Sequence, residues 1–243
     1  MTTTVRGGAL KRMLGATMLA LASAGSAQAA IITFEGNSGP VFNQQTIYES
    51  GYAISFVAAD PAPGVPAPAT VQVGRFIDGS KPASCGAYVC PTDNASTYFD
   101  LFGNGYVDLL PAIGNGTISF RGLDASFIGT PGTAYPDTPA ALQVIGFYAD
   151  GGSDSVQFSL PAPDNDSTTF GRYKADAAFS QLQFAEIAIL GYVCNTAGKC
   201  TALDYNAGQF ALDNIVLSDV PEPATAALLA LGLLGLARSR RRS

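Results

Sequence analysis

Histidine and tryptophan are both absent from the 243 residues. Without imidazole there is no Ser-His-Asp arrangement, no histidine base working near neutral pH and no histidine ligand for zinc, so whole classes of hydrolase and metalloenzyme drop out. Without indole, any aromatic platform for a sugar falls chiefly to tyrosine. Charge is sparse as well: Asp, Glu, Lys and Arg make up 13% of the chain against 47% apolar residues, too few for many solvent-facing helices. The 27 glycines and 15 prolines suit short strands and turns instead. There is no internal repeat of fixed period.

The charge that is present lies unevenly. Seven of the 13 basic residues (Arg6, Lys11, Arg12, Arg238, Arg240, Arg241 and Arg242) occupy the terminal segments. Residues 31–220 hold six basic and eighteen acidic side chains, a net −12, which repels nucleic acid. Such a balance attracts divalent cations or simply keeps a secreted protein soluble.

At the N-terminus Arg6, Lys11 and Arg12 precede an apolar run over 13–24, and Ala27-Gln28-Ala29 offers small residues at the spacing of a signal-peptidase site. We read 1–29 as a signal peptide cleaved after Ala29; the run is short for a bilayer span and no stop-transfer pattern follows. The C-terminus reads Val220-Pro221-Glu222-Pro223, an almost wholly apolar 224–237, then Arg238-Ser239-Arg240-Arg241-Arg242-Ser243. The prolines end the preceding structure, the apolar run enters the bilayer as a helix and the arginines hold its far end on the cytoplasmic side. About fourteen residues at 1.5 Å each reach only about 21 Å, against a hydrocarbon core about 30 Å thick. That suits a processing signal better than a permanent anchor, a resident single-pass helix being the alternative.

These C-terminal parts resemble the tripartite signal of PEP-CTERM proteins, recognised by an exosortase in Gram-negative bacteria that make extracellular polysaccharide. The resemblance is carried by Pro221, Glu222, Pro223, the apolar run and the cluster Arg238, Arg240, Arg241 and Arg242. It implies a membrane-anchored precursor, with exosortase as partner, cleavage near the Pro-Glu-Pro, and release or attachment at the cell surface or in the extracellular matrix. Before processing, the C-terminal helix would hold the chain in the membrane.

Between the two ends, apolar residues alternate or form short runs broken every ten residues or so by Gly, Pro, Asn and Asp. This predicts strands near 31–34, 52–58, 70–76, 98–102, 106–110, 117–127, 142–148, 155–160, 170–173, 182–190 and 209–217. The stretch 144–148, the acidic turn 150–154 and the run 156–160 read as a hairpin. Pro61, Pro63, Pro66 and Pro68 make 61–68 a stiff extended loop inserted between strands. The run Gln209-Phe210-Ala211-Leu212-Asp213 resembles a group of PEP-CTERM proteins with a Gln-Phe-x-x-Asp sequence before the signal. Paired with Ile31-Ile32-Thr33-Phe34-Glu35, it looks like the closing and opening strands of a jelly roll. The expected organisation is therefore an all-β, jelly-roll-like antiparallel β-sandwich over 30–218, flanked by an N-terminal signal helix and a short C-terminal transmembrane helix in 219–243.

The four cysteines form two close pairs, Cys85 with Cys90 and Cys194 with Cys200. Export makes disulfides the default; three connectivities exist, and the short separations favour 85 to 90 and 194 to 200 as loop staples. A four-thiolate zinc site is the rival, although neither pair has the two-residue spacing of the commonest knuckles.

Glu35 follows the first strand and Asp213 lies on the last, so the two carboxylates are candidates to hold a structural calcium, as jelly-roll carbohydrate-binding modules, which this arrangement resembles, often do. Calcium wants six to eight oxygens and two carboxylates are only a start; the alternative is that Asp213 accepts hydrogen bonds from turn amides beside Asn214. Asp150 with Asp154, and Asp164-Asn165-Asp166-Ser167, are acidic turns lacking a full calcium-loop pattern. No cofactor other than calcium is indicated.

Paired acids could cleave glycosidic bonds, but eighteen carboxylates supply many pairs and nothing nominates one. No catalytic residue is assigned. The expectation is a non-enzymatic exported protein of the cell surface or matrix, associated with extracellular polysaccharide; a secreted carboxylate-dependent glycan hydrolase is the alternative, and a matrix protein without a specific ligand is a third reading.

Overall fold

The computed structural model describes residues 29–81, 88–102, 105–112, 116–129, 140–162, 167–195, 197, 199–202 and 209–219. The segments expected as signal helix and transmembrane helix, with the Pro-Glu-Pro and the arginine cluster, lie outside them. The described residues belong to one compact unit spanning Ala29–Asp219.

That unit is built from β1 (Ala29–Ile32), β2 (Gly39–Phe42), β3 (Gln45–Glu49), β4 (Tyr52–Val57), β5 (Gln72–Asp78), β6 (Thr97–Leu101), β7 (Tyr106–Pro111), β8 (Ile118–Phe127), β9 (Ala140–Phe147), β10 (Ser153–Leu160), β11 (Gly171–Lys174), β12 (Glu186–Cys194), β13 (Cys200–Ala202) and β14 (Phe210–Asp219), with a 3-10 turn at Phe179–Gln181. They form two seven-stranded sheets. The first runs β11-β8-β14-β6-β5-β2 with β1 also on β14; the second runs β10-β9-β12-β7-β4-β3 with β13 also on β12. All pairings between these strands are antiparallel. The β-sandwich expected from alternation is what forms, and β9 and β10 make the expected hairpin, Ser153 opposite Phe147 through Leu160 opposite Ala140.

Alternation explains the core. Tyr52, Ile54 and Phe56 of β4, Val107 and Leu109 of β7 and Ile187 and Ile189 of β12 are buried, while the residues between them are less so or face outward. Side chains of period two from both sheets meet in one cluster. At its centre four phenylalanines, 34, 56, 76 and 99, are linked by ring-centroid distances of 4.4 to 6.0 Å, Phe76 and Phe99 each touching all the others. Phe34 reaches this cluster with φ of 58°, a left-handed conformation rare for a bulky residue, which ends β1 at Ile32 instead of Phe34. Glu49 holds the kink in place: its carboxylate accepts hydrogen bonds from the Thr33 amide (2.6 Å), the Thr33 hydroxyl (3.0 Å) and the Phe34 amide (3.1 Å).

The proline loop lies where expected, between β4 and β5, and buried Asn43 pins it. The Asn43 amide group donates to Ala67 O at 2.7 Å and Pro68 O at 3.3 Å, while its Oδ1 accepts from the Ala58 amide at 2.9 Å. Asn43 and Gln44 also carry the chain from β2 in the first sheet to β3 in the second. Those two strands were not legible in the sequence, because Gly39, Pro40 and the polar 43–46 conceal them. The expected strand at 182–190 is displaced to Glu186–Cys194, since the 3-10 turn and its continuation occupy 179–182.

Candidate functional site

β14 and β12 each give one edge to two strands in succession, and this is where the sheets depart from plain ladders. In the first sheet β6 covers Phe210 to Leu212 and β1 covers Ile215 to Ser218. Asp213 and Asn214 sit between them, at a register shift against β8, and Asn214 has φ of 48°. The loop before β6 fills the gap. Asp213 is buried, and its Oδ2 accepts from the Asn94 side-chain amide (2.7 Å) and the Ser96 hydroxyl (2.8 Å), its Oδ1 from the Asn214 amide (2.7 Å). Glu35 grips the same loop one residue further on, accepting from the Thr97 amide at 3.0 Å. Burial raises the Asp213 carboxyl above its ordinary range, partly opposed by these donors.

In this structure both carboxylates are engaged by donors, and of the groups bonded to Asp213 only the Ser96 hydroxyl is an oxygen, short of the six to eight that calcium takes. No calcium chemistry is derived from them, and among the described residues no group of three or more Cys, Asp or Glu is arranged to hold a metal. The acidic turn of the β9–β10 hairpin is likewise engaged: Asp150 accepts from the Gly152 amide (3.1 Å) and Asp154 from the Tyr148 hydroxyl (2.6 Å). Asp164, Asn165 and Asp166 lie outside the described residues. Neither Cys90 nor Cys194 is a free thiol. Cys194 stands directly opposite Cys200 in the β12–β13 ladder, while Cys85 lies outside the described residues.

The outer face of the second sheet is open and chemically varied. Register aligns Thr46 of β3, Ser55 of β4, Asp108 of β7, Ala188 of β12, Ile145 of β9 and Ser155 of β10 in one row. With strands about 4.8 Å apart, six strands span about 24 Å. Tyr48, Glu186 and Phe147 flank the row on one side, Tyr106, Gln143 and Gln157 on the other. Tyr48 is 75% exposed, which is unusual for so large a ring. The Thr46 and Ser55 hydroxyls share a 2.8 Å hydrogen bond, and Gln143 donates to Ser155 Oγ at 3.0 Å while accepting from the Tyr192 hydroxyl.

At the middle of this face burial, together with the neighbouring Glu186 carboxylate, pushes Asp108 up to about 7. Asp108 therefore keeps its proton up to near neutral pH. Sequence reasoning did not single out either acid. The signal available was one acid in the middle of an apolar alternation, Tyr106-Val107-Asp108-Leu109, which forces Asp108 onto the face away from the core.

A pH dependence follows. Asp108 is free to ionise at its ordinary value of 3.8 in the unfolded chain but only at about 7 in the fold. The fold therefore binds extra proton between about pH 4 and 7, and stability is full below that window and falls as pH rises through it. Asp213 and the fully buried Asp100, whose two oxygens have no hydrogen-bond partner, are both raised by burial and act in the same sense. Thermal unfolding is expected at its highest temperature on the acid side of neutrality. Asp108→Asn should flatten the decline and raise Tm at pH 8 by about 2–4 °C, corresponding to about 1 kcal/mol after solvent screening of this half-buried carboxyl; an unchanged pH profile would refute the raised Asp108.

Beyond β14, residues 219–242 match the PEP-CTERM protein-sorting motif. The chain carries a PEP-CTERM sorting motif. A sorting signal of this kind marks an exported chain, and the motif begins at the last residue of β14. No curated protein sequence matches the PEP-CTERM chain. Among solved structures it is similar to the enzymatically active domain of a tailspike protein of bacteriophage CBA120, at 14% identity and a TM-score of 0.33 over 70% of this chain and 20% of that one, so it spans about a fifth of the tailspike chain. It is similar as well to TmCBM61, solved with β-1,4-galactotriose, at 11% identity and 0.31 over 70% of this chain and 90% of that one. A family 29 carbohydrate-binding module gives 12% and 0.30 over 77% and 99%. None of the described helical segments is long and apolar enough to cross a membrane.

Proposed function

We propose that the PEP-CTERM chain is a non-catalytic, polysaccharide-associating β-sandwich of the cell surface or extracellular matrix, delivered by an exosortase, and that the outer face of the second sheet meets the glycan. The observation that carries this reading is the row from Thr46 to Ser155. It offers hydroxyl, amide and carboxyl groups at strand spacing, beside an exposed Tyr48 and the half-buried rings of Tyr106 and Phe147. A sugar chain needs both kinds of contact: hydrogen bonds to its hydroxyls, and flat apolar surface for its C–H faces. Most of these polar side chains already hold one another in place, so little ordering is required on binding.

Hydrolysis is the less supported reading. Glycoside cleavage needs carboxyls about 5 Å or more apart, with the scissile bond between them. On this face Asp108 is pushed up to about 7 by burial and by Glu186, and nothing in the register sets the two acids on either side of a scissile bond. The run Gln209 to Asp213 supports placement with PEP-CTERM proteins that share it, and 85 to 90 and 194 to 200 remain the proposed disulfides. At the direct Cys194–Cys200 pairing the antiparallel Cα spacing of about 4.5–5.5 Å is within disulfide reach.

Protein purified from its own envelope should bind the producer's polysaccharide in affinity electrophoresis and release no reducing ends from it. Tyr48→Ala should weaken binding about tenfold, a loss of about 1.4 kcal/mol, without altering Tm. Retention of full binding in that variant would move the site elsewhere, and steady release of reducing ends would replace binding with hydrolysis.

A further inference from the structure

The opposite side of the sandwich carries a second feature, one of charge. A groove of about 360 Å³ on the first sheet is lined by Arg121, Arg172 and Lys174 with Asp124, and by Ile31 and Val216 among its apolar walls. Three of the six cations in the acidic body 31–220 thus meet in one place, where the lining residues sum to +2. Their convergence is set by register. Lys174 of β11 lies opposite Gly122 of β8, Gly122 opposite Val216 of β14, and Val216 opposite Ile31 of β1. Arg172 lies opposite Asp124 in the next outward-facing row. Gly122 is required at the floor, because a Cβ there would stand 2.5 Å from the Tyr173 carbonyl oxygen.

Only one of the three cations is neutralised. Arg172 makes a two-pronged ion pair with Asp124, Nε to Oδ1 at 2.9 Å and Nη2 to Oδ2 at 3.1 Å. The Asn214 side-chain amide also donates to Asp124 Oδ2, at 3.0 Å. Arg121 bonds only the Ser218 hydroxyl, through Nε at 3.2 Å and Nη2 at 3.1 Å, and no carboxylate of the described residues lies within ion-pair distance of Arg121 or Lys174. In a body of net −12, two such cations beside a concave wall form a local reversal of sign. The wall is partly apolar, and Ile31 is 46% exposed.

We propose that this groove binds a carboxylate-bearing sugar unit, a uronate residue of an acidic polysaccharide. Its carboxylate is taken by Arg121 and Lys174, and a C–H face of its ring rests on Ile31 and Val216. Charge complementarity selects an anion, and the apolar wall selects one with a ring over a bare inorganic ion. The concavity fits a single unit of a chain better than the plane of a bilayer. This site is on the sheet opposite the Tyr48 face and shares with that reading only the class of polymer.

The test is isothermal titration of the envelope-purified protein with trigalacturonate, with a neutral galactotriose, and with phosphatidylglycerol vesicles. Trigalacturonate should bind and weaken as salt rises. Arg121→Gln combined with Lys174→Gln, both exposed and so without effect on Tm, should lose on the order of 100-fold, the equivalent of two charge-assisted hydrogen bonds, while Tyr48→Ala leaves trigalacturonate binding intact. The proposal is overturned by no trigalacturonate binding at millimolar concentration, by equal binding to the double variant, or by binding of the vesicles alone with the same sensitivity to substitution. Loss of polysaccharide binding in Tyr48→Ala with trigalacturonate unaffected separates the two sites, so either can fail without the other.

Discussion

Phe99→Ala is expected to lower the free energy of unfolding by about 3–5 kcal/mol, the cost of removing a buried ring and leaving a cavity. The side chain is fully buried and stands among Phe34, Phe56 and Phe76, its ring centroid 4.4 Å from that of Phe56. Its place cannot collapse easily. Phe56 belongs to the second sheet, Phe76 and Phe99 to the first, and Phe34 is fixed by the Glu49 clasp. A Cβ on Gly74 would already stand 2.5 Å from the Phe99 ring, which measures how closely the backbone of β5 approaches it. Urea denaturation followed by tyrosine fluorescence measures the change directly. A loss under about 1 kcal/mol would show that the two sheets do not pack through this cluster.

Asp213→Ala should cost about 2–4 kcal/mol, by leaving the Asn94 amide, the Ser96 hydroxyl and the Asn214 amide without the acceptor they share. The same experiment decides between a clasp and a metal site. With a clasp, millimolar calcium leaves the Tm of the unsubstituted protein where it was. A calcium-dependent rise in Tm that disappears in both Asp213→Ala and Glu35→Ala would restore those two carboxylates as calcium ligands. The substitution also removes one of the raised carboxyls, so its cost should be larger at pH 5 than at pH 8.

Alternation made β4, β7, β8 and β14 legible, because each has a buried side and a less buried one, and the turn chemistry of 150–154 fixed the β9–β10 hairpin. The pairing of first and last strands came from the resemblance of 31–35 and 209–213 to the opening and closing strands of a jelly roll. Strands whose stability comes from their neighbours were not. β2 contributes little but Val41 to the core, and β3 alternates weakly; both exist because β5 and β4 offer them ladders. The candidate sites were less legible than the fold. Asp108 and Glu186 are 78 positions apart and meet only through the β7–β12 register. Arg121 and Lys174 reach one groove from different strands, and a run of cations, the usual sequence sign of an anion site, is missing. Glu35 and Asp213 were read as candidate calcium ligands on neighbouring strands; in the structure each bonds the loop before β6 through backbone and side-chain hydrogens, which a list of carboxylates cannot reveal.

The adjacency of β1 and β14 has a mechanical consequence. Ala29 stands opposite Ser218, so the first strand begins beside the point where the chain leaves for its sorting signal. A pull on that C-terminal end runs along β14, which is hydrogen-bonded to β8 on one edge and to β6 and then β1 on the other. Ladder bonds lie perpendicular to the strand, so traction along it strains many of them together and does not peel them one at a time. A domain held by its C-terminus while the polymer on its other sheet is dragged by flow would therefore bear the load as a shear across its best-connected strand.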